Sequence, residues 1–444
     1  MAANDGVKHV LIVGAGFADL AGARKLAKQK DARVTLIDKN NYHQFQPLLY
    51  QVATSALSPE DLAFPVRELF RKTPNVDVKL GEVVSADPKT KSITTASGET
   101  YSCDYLVLAA GSHANFFNTP GSEHAFPLYA LEEAEKLRSR VIACFEDADR
   151  NHELIKEGAL NFVIVGGGAT GAEISGAISD MIQGPLLSAY PDLALSEAKV
   201  LVYDLGKTLL APFSEHLRKY ATETLQKQGV SLHLETSIVE IGPGYVVDSD
   251  QNHIKTHCVI WAGGIRAPAL AAETGLEQGK GGRINLQPDH SVEGAPGVYA
   301  LGDFANIPVG DGSYFPQLGS VALQQGDWAA DAIWAEIEGK KRPTFHYRDK
   351  GIMAMISRGH AIAEVGKHHH QLHGSMAFAS WLGIHAYLMT GTHSKLSAFV
   401  EWAEDYCSSD RSLQVLDRSN SARIKWEEGD DTEAEPLATA SSRA

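Results

Sequence analysis

Two glycine-rich turns, each paired with a carboxylate at the end of a second apolar run, carry the clearest chemistry in this 444-residue chain. Val10-Leu-Ile-Val13 leads into Gly14-Ala-Gly16 and then Leu20-Ala-Gly-Ala-Arg-Lys-Leu26. Phe162-Val-Ile-Val165 leads into Gly166-Gly-Gly168-Ala-Thr-Gly171-Ala-Glu173. Each reads as a buried strand, a tight turn and a helix. The first glycine of such a turn permits the reversal, the second admits a pyrophosphate against the backbone, and the third lets helix and strand close up. The phosphates then rest on unpaired amides at the helix N-terminus. Arg33-Val-Thr-Leu-Ile37 ends at Asp38, and Lys199-Val-Leu-Val-Tyr203 ends at Asp204. A carboxylate there holds both ribose hydroxyls of an adenosine and repels a 2′-phosphate. The second site therefore favours NADH over NADPH, with Lys207 the one nearby feature against it.

The first turn departs from this pattern. In Gly14-Ala-Gly16-Phe-Ala-Asp19, an aspartate stands at the third glycine position. Its Cβ crowds the helix–strand contact, and its charge lies close to an anionic pyrophosphate. Cofactor affinity is expected to suffer unless the carboxylate turns to solvent. Two further strands, Tyr105-Leu-Val-Leu-Ala-Ala-Gly111 and Val259-Ile-Trp-Ala-Gly-Gly264, run into small residues of the kind found where a chain passes close to a ligand. Gly297-Val-Tyr-Ala-Leu-Gly302-Asp303 ends in an acid that either bonds a ribityl hydroxyl or simply caps a turn.

The elements that must position these residues form an α/β chain with two doubly wound, dinucleotide-binding units. Composition agrees: 44% hydrophobic and 21% charged residues describe a globular protein. A net charge of −15 removes the basic footprint that nucleic-acid binding requires. The four cysteines, Cys103, Cys144, Cys258 and Cys407, are widely spaced, which argues against a zinc ribbon, an iron–sulfur cluster or a dithiol pair and for a reducing compartment. The N-terminal apolar run stops at Gly14, too soon for a signal-peptide core, and no run of about 18 apolar residues is present to cross a bilayer. A cytoplasmic protein is expected.

From about residue 8 to 417 the sequence resembles the type II NADH dehydrogenases, single-subunit NADH:quinone oxidoreductases. The most specific stretch is His43-Gln-Phe45-Gln46-Pro47-Leu-Leu-Tyr50-Gln51-Val-Ala53-Thr. It is joined by Gly166 to Glu173, Trp261-Ala-Gly-Gly-Ile-Arg266-Ala, Ala300-Leu-Gly-Asp303 and Ala322-Leu-Gln324-Gln325-Gly326. The resemblance implies an FAD domain over 1–118 and 295–335 with an NADH domain, 119–294, inserted in it. A C-terminal amphipathic segment over 336–417 would lie on the cytoplasmic face of the cell membrane, and a disordered tail, 418–444, would follow. It places Gly14, Gly16, Asp38, Lys39, Pro47, Ala110, Gly111 and Asp303 at FAD. Gly166, Gly168, Gly171, Asp204 and Gly264 fall at NADH, and Tyr50, Gln51, Ser320 and Gln324 at the quinone. Glu173 would relay protons to reduced quinone, although the same position suits a plain acid near a helix start. Ser320 replaces the first Gln of the family's Ala-Gln-x-Ala-x-Gln run, which removes one amide donor to a quinone carbonyl.

In the C-terminal segment, Trp381-Leu-Gly-Ile384-His385-Ala-Tyr387-Leu388-Met389 presents an apolar, aromatic face at helical spacing. Leu396, Phe399, Val400 and Ala403 repeat at i, i+3, i+4 and i+7. Such a pair of helices lies in a membrane interface, caps the core or forms a homodimer contact. Its basic residues are reduced to His393 and Lys395 beside Glu401, Glu404 and Asp405, which weakens attraction to anionic lipid. His368, His369, His370 and His373 are read as a solvated loop, with no metal site assigned. Two other activities use the same nucleotide motifs: a soluble NADH-dependent flavin oxidoreductase with another acceptor, and a non-catalytic flavoprotein-like module. A sulfide:quinone enzyme would need cysteines near the flavin.

Overall fold

The computed structural model describes residues 6–408 and 414–416, so the expected tail over 418–444 lies outside the described residues. Strand β1 (Lys8–Val13) is followed by helix α1 (Phe17–Leu26) and strand β2 (Ala32–Asp38). The run after them folds into a 3-10 turn, Gln46–Leu48, and two short helices, α2 (Leu49–Ala53) and α3 (Pro59–Leu62). Strands β3 (Val76–Leu80) and β4 (Tyr105–Leu108) complete the first half of a sheet whose last strand comes from far down the chain.

A second unit then begins with β5 (Ala125–Pro127), β6 (Asn161–Val165), α4 (Ala169–Gln183), β7 (Lys199–Asp204), β8 (Val230–Leu234) and β9 (Cys258–Trp261). These five strands form a parallel sheet in the order β5-β9-β6-β7-β8. The chain then returns: β10 (Val298–Ala300) pairs with β4, giving a first parallel sheet of order β10-β4-β1-β2-β3. Helix α5 (Gly319–Ile337) follows and lies against α1. Both central strands read as continuous apolar runs because both sheet faces are covered. Val10, Leu11 and Ile12 are buried, as are Phe162, Val163 and Ile164.

The final elements build a platform on the second unit. Strands β11 (Gly351–Ser357), β12 (His360–Val365) and β13 (His370–His373) make an antiparallel sheet, followed by α6 (Gly374–Leu388) and α7 (Thr392–Ser408). A Cβ at Gly176 would stand 1.7 Å from the Ile356 carbonyl oxygen, so this glycine lets α4 and β11 touch through their backbones. The histidines are exposed as expected, and His368 and His369 lie in a turn, but His370 and His373 differ from the expected loop. Residues 370–373 are a strand paired along β12, because Leu372 packs against the core between exposed neighbours. Trp381 also differs from an interfacial residue. It is fully buried, its ring stacked on His385 at 3.9 Å between centroids.

Candidate active site

In the first glycine turn, Gly14 has φ +122°, and a Cβ there would lie 2.6 Å from the Ala109 carbonyl oxygen. Only glycine fits this approach of the β1 turn to the Ala109-Ala110-Gly111 segment after β4. Asp38 takes the Ala15 amide at 2.8 Å and the Asn40 amide at 2.6 Å, which ties the acid to the turn. Burial raises the Asp38 pKa against the pull of these two donors. His43 donates from Nδ1 to the Ala15 carbonyl at 2.8 Å, and its ring meets Phe17 edge-on. Burial holds its pKa down to about 4, so it stays neutral. Asp19 does not turn to solvent. It is 2% exposed, and its Oδ2 accepts the Gly16 amide at 2.7 Å.

Asp303 lies in the turn after β10, where Tyr129 and Ser112 donate hydroxyls to its Oδ2 at 2.8 and 3.1 Å. Burial raises its pKa. The Gly302 amide donates to Gln325 Oε1 at 2.6 Å, and Gln317 reaches the Asp303 carbonyl. Pro47 is exposed, next to half-buried Gln46, whose Oε1 is buried without a partner, as is Gln325 Nε2. Lys39 is exposed, while Ala110 and Gly111 are half-buried at the end of β4. A glycine cradle, two turn-held acids and orphaned polar atoms along one path fit an FAD.

The second turn repeats the first more strictly. Gly166 has φ +114°, with the Ala262 carbonyl oxygen 2.4 Å from where a Cβ would be. Gly171, the third glycine, faces the Gly166 carbonyl at a Cβ distance of 1.8 Å, whereas beside Gly168 the space is open. Asp204 accepts the Gly167 and Gly206 amides, both at 2.6 Å, as Asp38 accepts that of Ala15. Gly264 follows β9 at φ +146°, close to Phe117. Lys207 is exposed and paired loosely with Glu235 at 4.0 Å, away from a phosphate role.

Between these units and the C-terminal helices lies a cavity of about 360 Å³. Tyr50 and Gln51 of α2, Glu173 of α4, Met355 of β11, Phe378 and Leu382 of α6, and Phe399 and Trp402 of α7 all line it. Glu173 Oε1 accepts the Met355 amide at 3.1 Å, and burial pushes its carboxyl up to about 8. Gln51 donates to the Tyr50 hydroxyl at 3.0 Å and accepts from the Trp402 indole at 2.7 Å. Ser320 and Gln324 do not join this group. Ser320 Oγ bonds the Tyr347 hydroxyl, and the Gln324 amide bridges the Arg348 backbone, donating to its carbonyl and accepting its amide. Trp402, Met355 and Tyr129 escaped the sequence reading, since no spacing links them to a glycine turn.

Two parallel sheets, each with a phosphate-type turn and a ribose-type acid, and a largely apolar cavity lined by Glu173, with Asp180, Arg358 and Asp405 also on its walls, define a double dinucleotide-binding redox fold. Residues 8–326 match the pyridine nucleotide-disulphide oxidoreductase family. The type II NADH:quinone oxidoreductase Ndh of Mycobacterium tuberculosis is 32% identical over 98% of this chain and 96% of its own. The type II NADH:quinone oxidoreductase NdhA of the same organism is 32% identical over 93% of this chain and 90% of its own. The Staphylococcus aureus type II NADH:quinone oxidoreductase is 31% identical over 79% and 87%. The fold matches NDH2 of Plasmodium falciparum in complex with NADH at a TM-score of 0.84, with 17% identity over 92% of this chain and 99% of that one. It also matches the sulfide:quinone oxidoreductase of Aquifex aeolicus at 0.70, with 16% identity over 90% and 95%. The chain belongs to the type II NADH:quinone oxidoreductases within the pyridine nucleotide-disulphide oxidoreductases.

Proposed function

We propose that this protein is an FAD-dependent NADH:quinone oxidoreductase that works at a membrane surface without pumping protons. When bound, the flavin supplies the redox chemistry, taking two electrons from NADH and giving them to quinone. Gly14, Gly16, Asp38, Lys39, Pro47, Ala110, Gly111 and Asp303 would hold FAD on the unit formed by 1–118 and 295–335. Gly166, Gly168, Gly171, Asp204 and Gly264 would hold NADH on 119–294. The observation that carries the quinone half is the cavity, mostly apolar in its lining, where Glu173, beside the further polar groups Asp180, Arg358 and Asp405, keeps its proton near neutral pH because burial raises its pKa to about 8. Reducing a quinone to quinol consumes two protons, and Glu173, which lines this cavity, would deliver one of them and recover it from solvent. Tyr50 and Gln51 line the same space, whereas Ser320 and Gln324, bonded to Tyr347 and to the Arg348 backbone, do not line it.

Cysteine placement supports quinone over sulfide chemistry. Cys144 and Cys258 are fully buried in the second unit, and burial pushes the Cys103 thiol up to about 12, so none of these is a ready thiolate. Membrane contact rests on α6 and α7, where Met376, Ile384, Tyr387, Leu388, Leu396, Phe399 and Val400 are all exposed. No helix among the described residues is long and apolar enough to cross a membrane, so the segment would lie in the interface. A second copy covering the same face as a homodimer is the competing use of this patch.

The test is an anaerobic visible spectrum of the purified protein, before and after NADH and then a soluble quinone. Flavin bands that bleach with NADH and return with quinone are expected. Bleaching that quinone does not reverse would refute the acceptor. Flotation with liposomes tests the surface: binding by the wild type that is lost in Leu396→Ser/Phe399→Ser/Val400→Ser is expected, and equal flotation of both would refute it.

A further inference from the structure

Asp19 is a carboxyl already seated in the cradle that a phosphate would occupy. Its Oδ2 takes the amide of Gly16, the N-cap of α1 and a donor that a dinucleotide pyrophosphate needs at this turn. The same oxygen stands 2.9 Å from where a Gly14 Cβ would be and 3.2 Å from that of Gly16, so the carboxyl fills the inside of the loop. Its other oxygen, Oδ1, is buried with no hydrogen-bond partner. A buried carboxylate oxygen without a donor is costly, but the same atom carrying a proton becomes a donor in need of an acceptor. A phosphate oxygen entering this loop is such an acceptor.

The groups around Asp19 do not supply a compensating cation. Asp38 at the end of β2 adds a second acid across the turn. His43 is neutral and bonded to the Ala15 carbonyl. On α1 itself, Lys25 turns to Asp331 of α5 at 2.5 Å, and Arg24 acts on His43, while Lys39 beyond β2 acts on Asp38 and not on Asp19. The neighbouring Ala109 segment offers only a carbonyl. Burial and Asp38 both push the Asp19 carboxyl well above its ordinary range. The second turn is a built-in contrast, with Gly171 at the matching position and open space beside Gly168.

We propose that Asp19 couples flavin binding to protonation: the pyrophosphate enters the first turn with Asp19 in its neutral form, one proton being taken up or retained for each FAD bound. A bound pyrophosphate disfavours the charged form further, so the proton is held more tightly in the complex than in the free protein. Between those two limits, FAD affinity falls as pH rises, by up to tenfold per pH unit. NADH affinity does not follow, because its turn has no such acid.

The inference rests on FAD as the cofactor of the first site and not on quinone as the acceptor. The test brings diluted holoprotein to equilibrium between pH 6 and 9, separates free FAD by ultrafiltration and reads it by its fluorescence. The wild-type Kd is expected to climb by up to tenfold per pH unit over part of this range. Asp19→Asn and Asp19→Gly are expected to give flat profiles, and NADH binding by all three proteins should be equally flat. Where Asp19→Gly fails to fold, the near-isosteric Asn variant decides alone. A flat wild-type profile, or the same slope in wild type and Asn variant, overturns the proposal. A protein that obeys this pH law but does not reduce quinone retains the inference and loses only the acceptor.

Discussion

Trp402→Phe separates the helix that faces outward from the cavity it closes. The indole N–H of Trp402 donates to Gln51 Oε1 at 2.7 Å, and both side chains are buried, at 9% and 6% exposure. Phenylalanine keeps most of the apolar area and deletes the donor, leaving a buried amide oxygen unsatisfied. Such a loss costs about 1–3 kcal/mol. The α7 helix keeps other fastenings: Glu401 accepts the Ser58 amide at 3.1 Å, Arg358 donates to the Asp405 carbonyl, and Tyr406 stacks on Phe378. The cost therefore falls on local seating of the helix and raises its opening roughly 5- to 150-fold. Hydrogen exchange of residues 392–406 should speed up by that factor while the strands β1 and β6 stay protected. In stopped flow, flavin reduction by NADH should be unchanged, and reoxidation by quinone should slow or need more quinone. Gln51→Leu removes the orphaned acceptor, so the double variant should open less than the two single effects predict together. Strict additivity in this cycle would refute the reasoning, since two groups sharing one buried bond cannot act independently.

Glu173→Gln should slow reoxidation by quinone far more than reduction by NADH. The wild-type rate should fall as pH rises through about 8, where the proton donor is lost, and the variant should lack that limb. A carboxyl held higher in the folded than in the unfolded state destabilises progressively between its two pKa values. Glu173→Gln should therefore raise Tm relative to wild type more at pH 9 than at pH 5; a constant difference would count against the burial argument. Glu401 is raised to about 7, first by burial and then by Asp61 of α3. Docking of α7 should weaken as pH rises toward 7, read as faster exchange over 392–406, and Glu401→Gln should remove that trend. Asp204→Asn should raise the KM for NADH and narrow the preference over NADPH by about tenfold or more, and an unchanged ratio of kcat/KM would refute the ribose role.

The glycine turns were legible because their chemistry is local. A strand, a reversal and an acid one strand later leave a fixed spacing, and the structure ties Asp38 and Asp204 to their turns through the same backbone bond. The cavity was only partly legible. Tyr50, Gln51 and Glu173 belong to recognisable stretches, but Met355, Phe378 and Trp402 arrive from separate elements as ordinary apolar residues. The C-terminal periodicity showed an apolar face without saying which members the core would claim. Trp381 and Trp402 went inward, while Leu396, Phe399 and Val400 stayed out. A helix that must close a cavity and also face a membrane or a second copy is apolar on more than one side, so period alone cannot divide its residues.

The two turns also show what motif matching conceals. Asp19 and Gly171 hold the same place in the pattern, and both leave the turn closed, yet by opposite means. Gly171 lets α4 approach until a Cβ would lie 1.8 Å from the Gly166 carbonyl. Asp19 instead folds its carboxyl into the loop and satisfies the Gly16 amide itself. The first solution leaves its amides for a ligand at every pH, whereas the second makes them available on terms set by a proton. The departure from the fingerprint is thus compatible with the fold, and its consequence lies in binding, where a survey of shape alone would not register it.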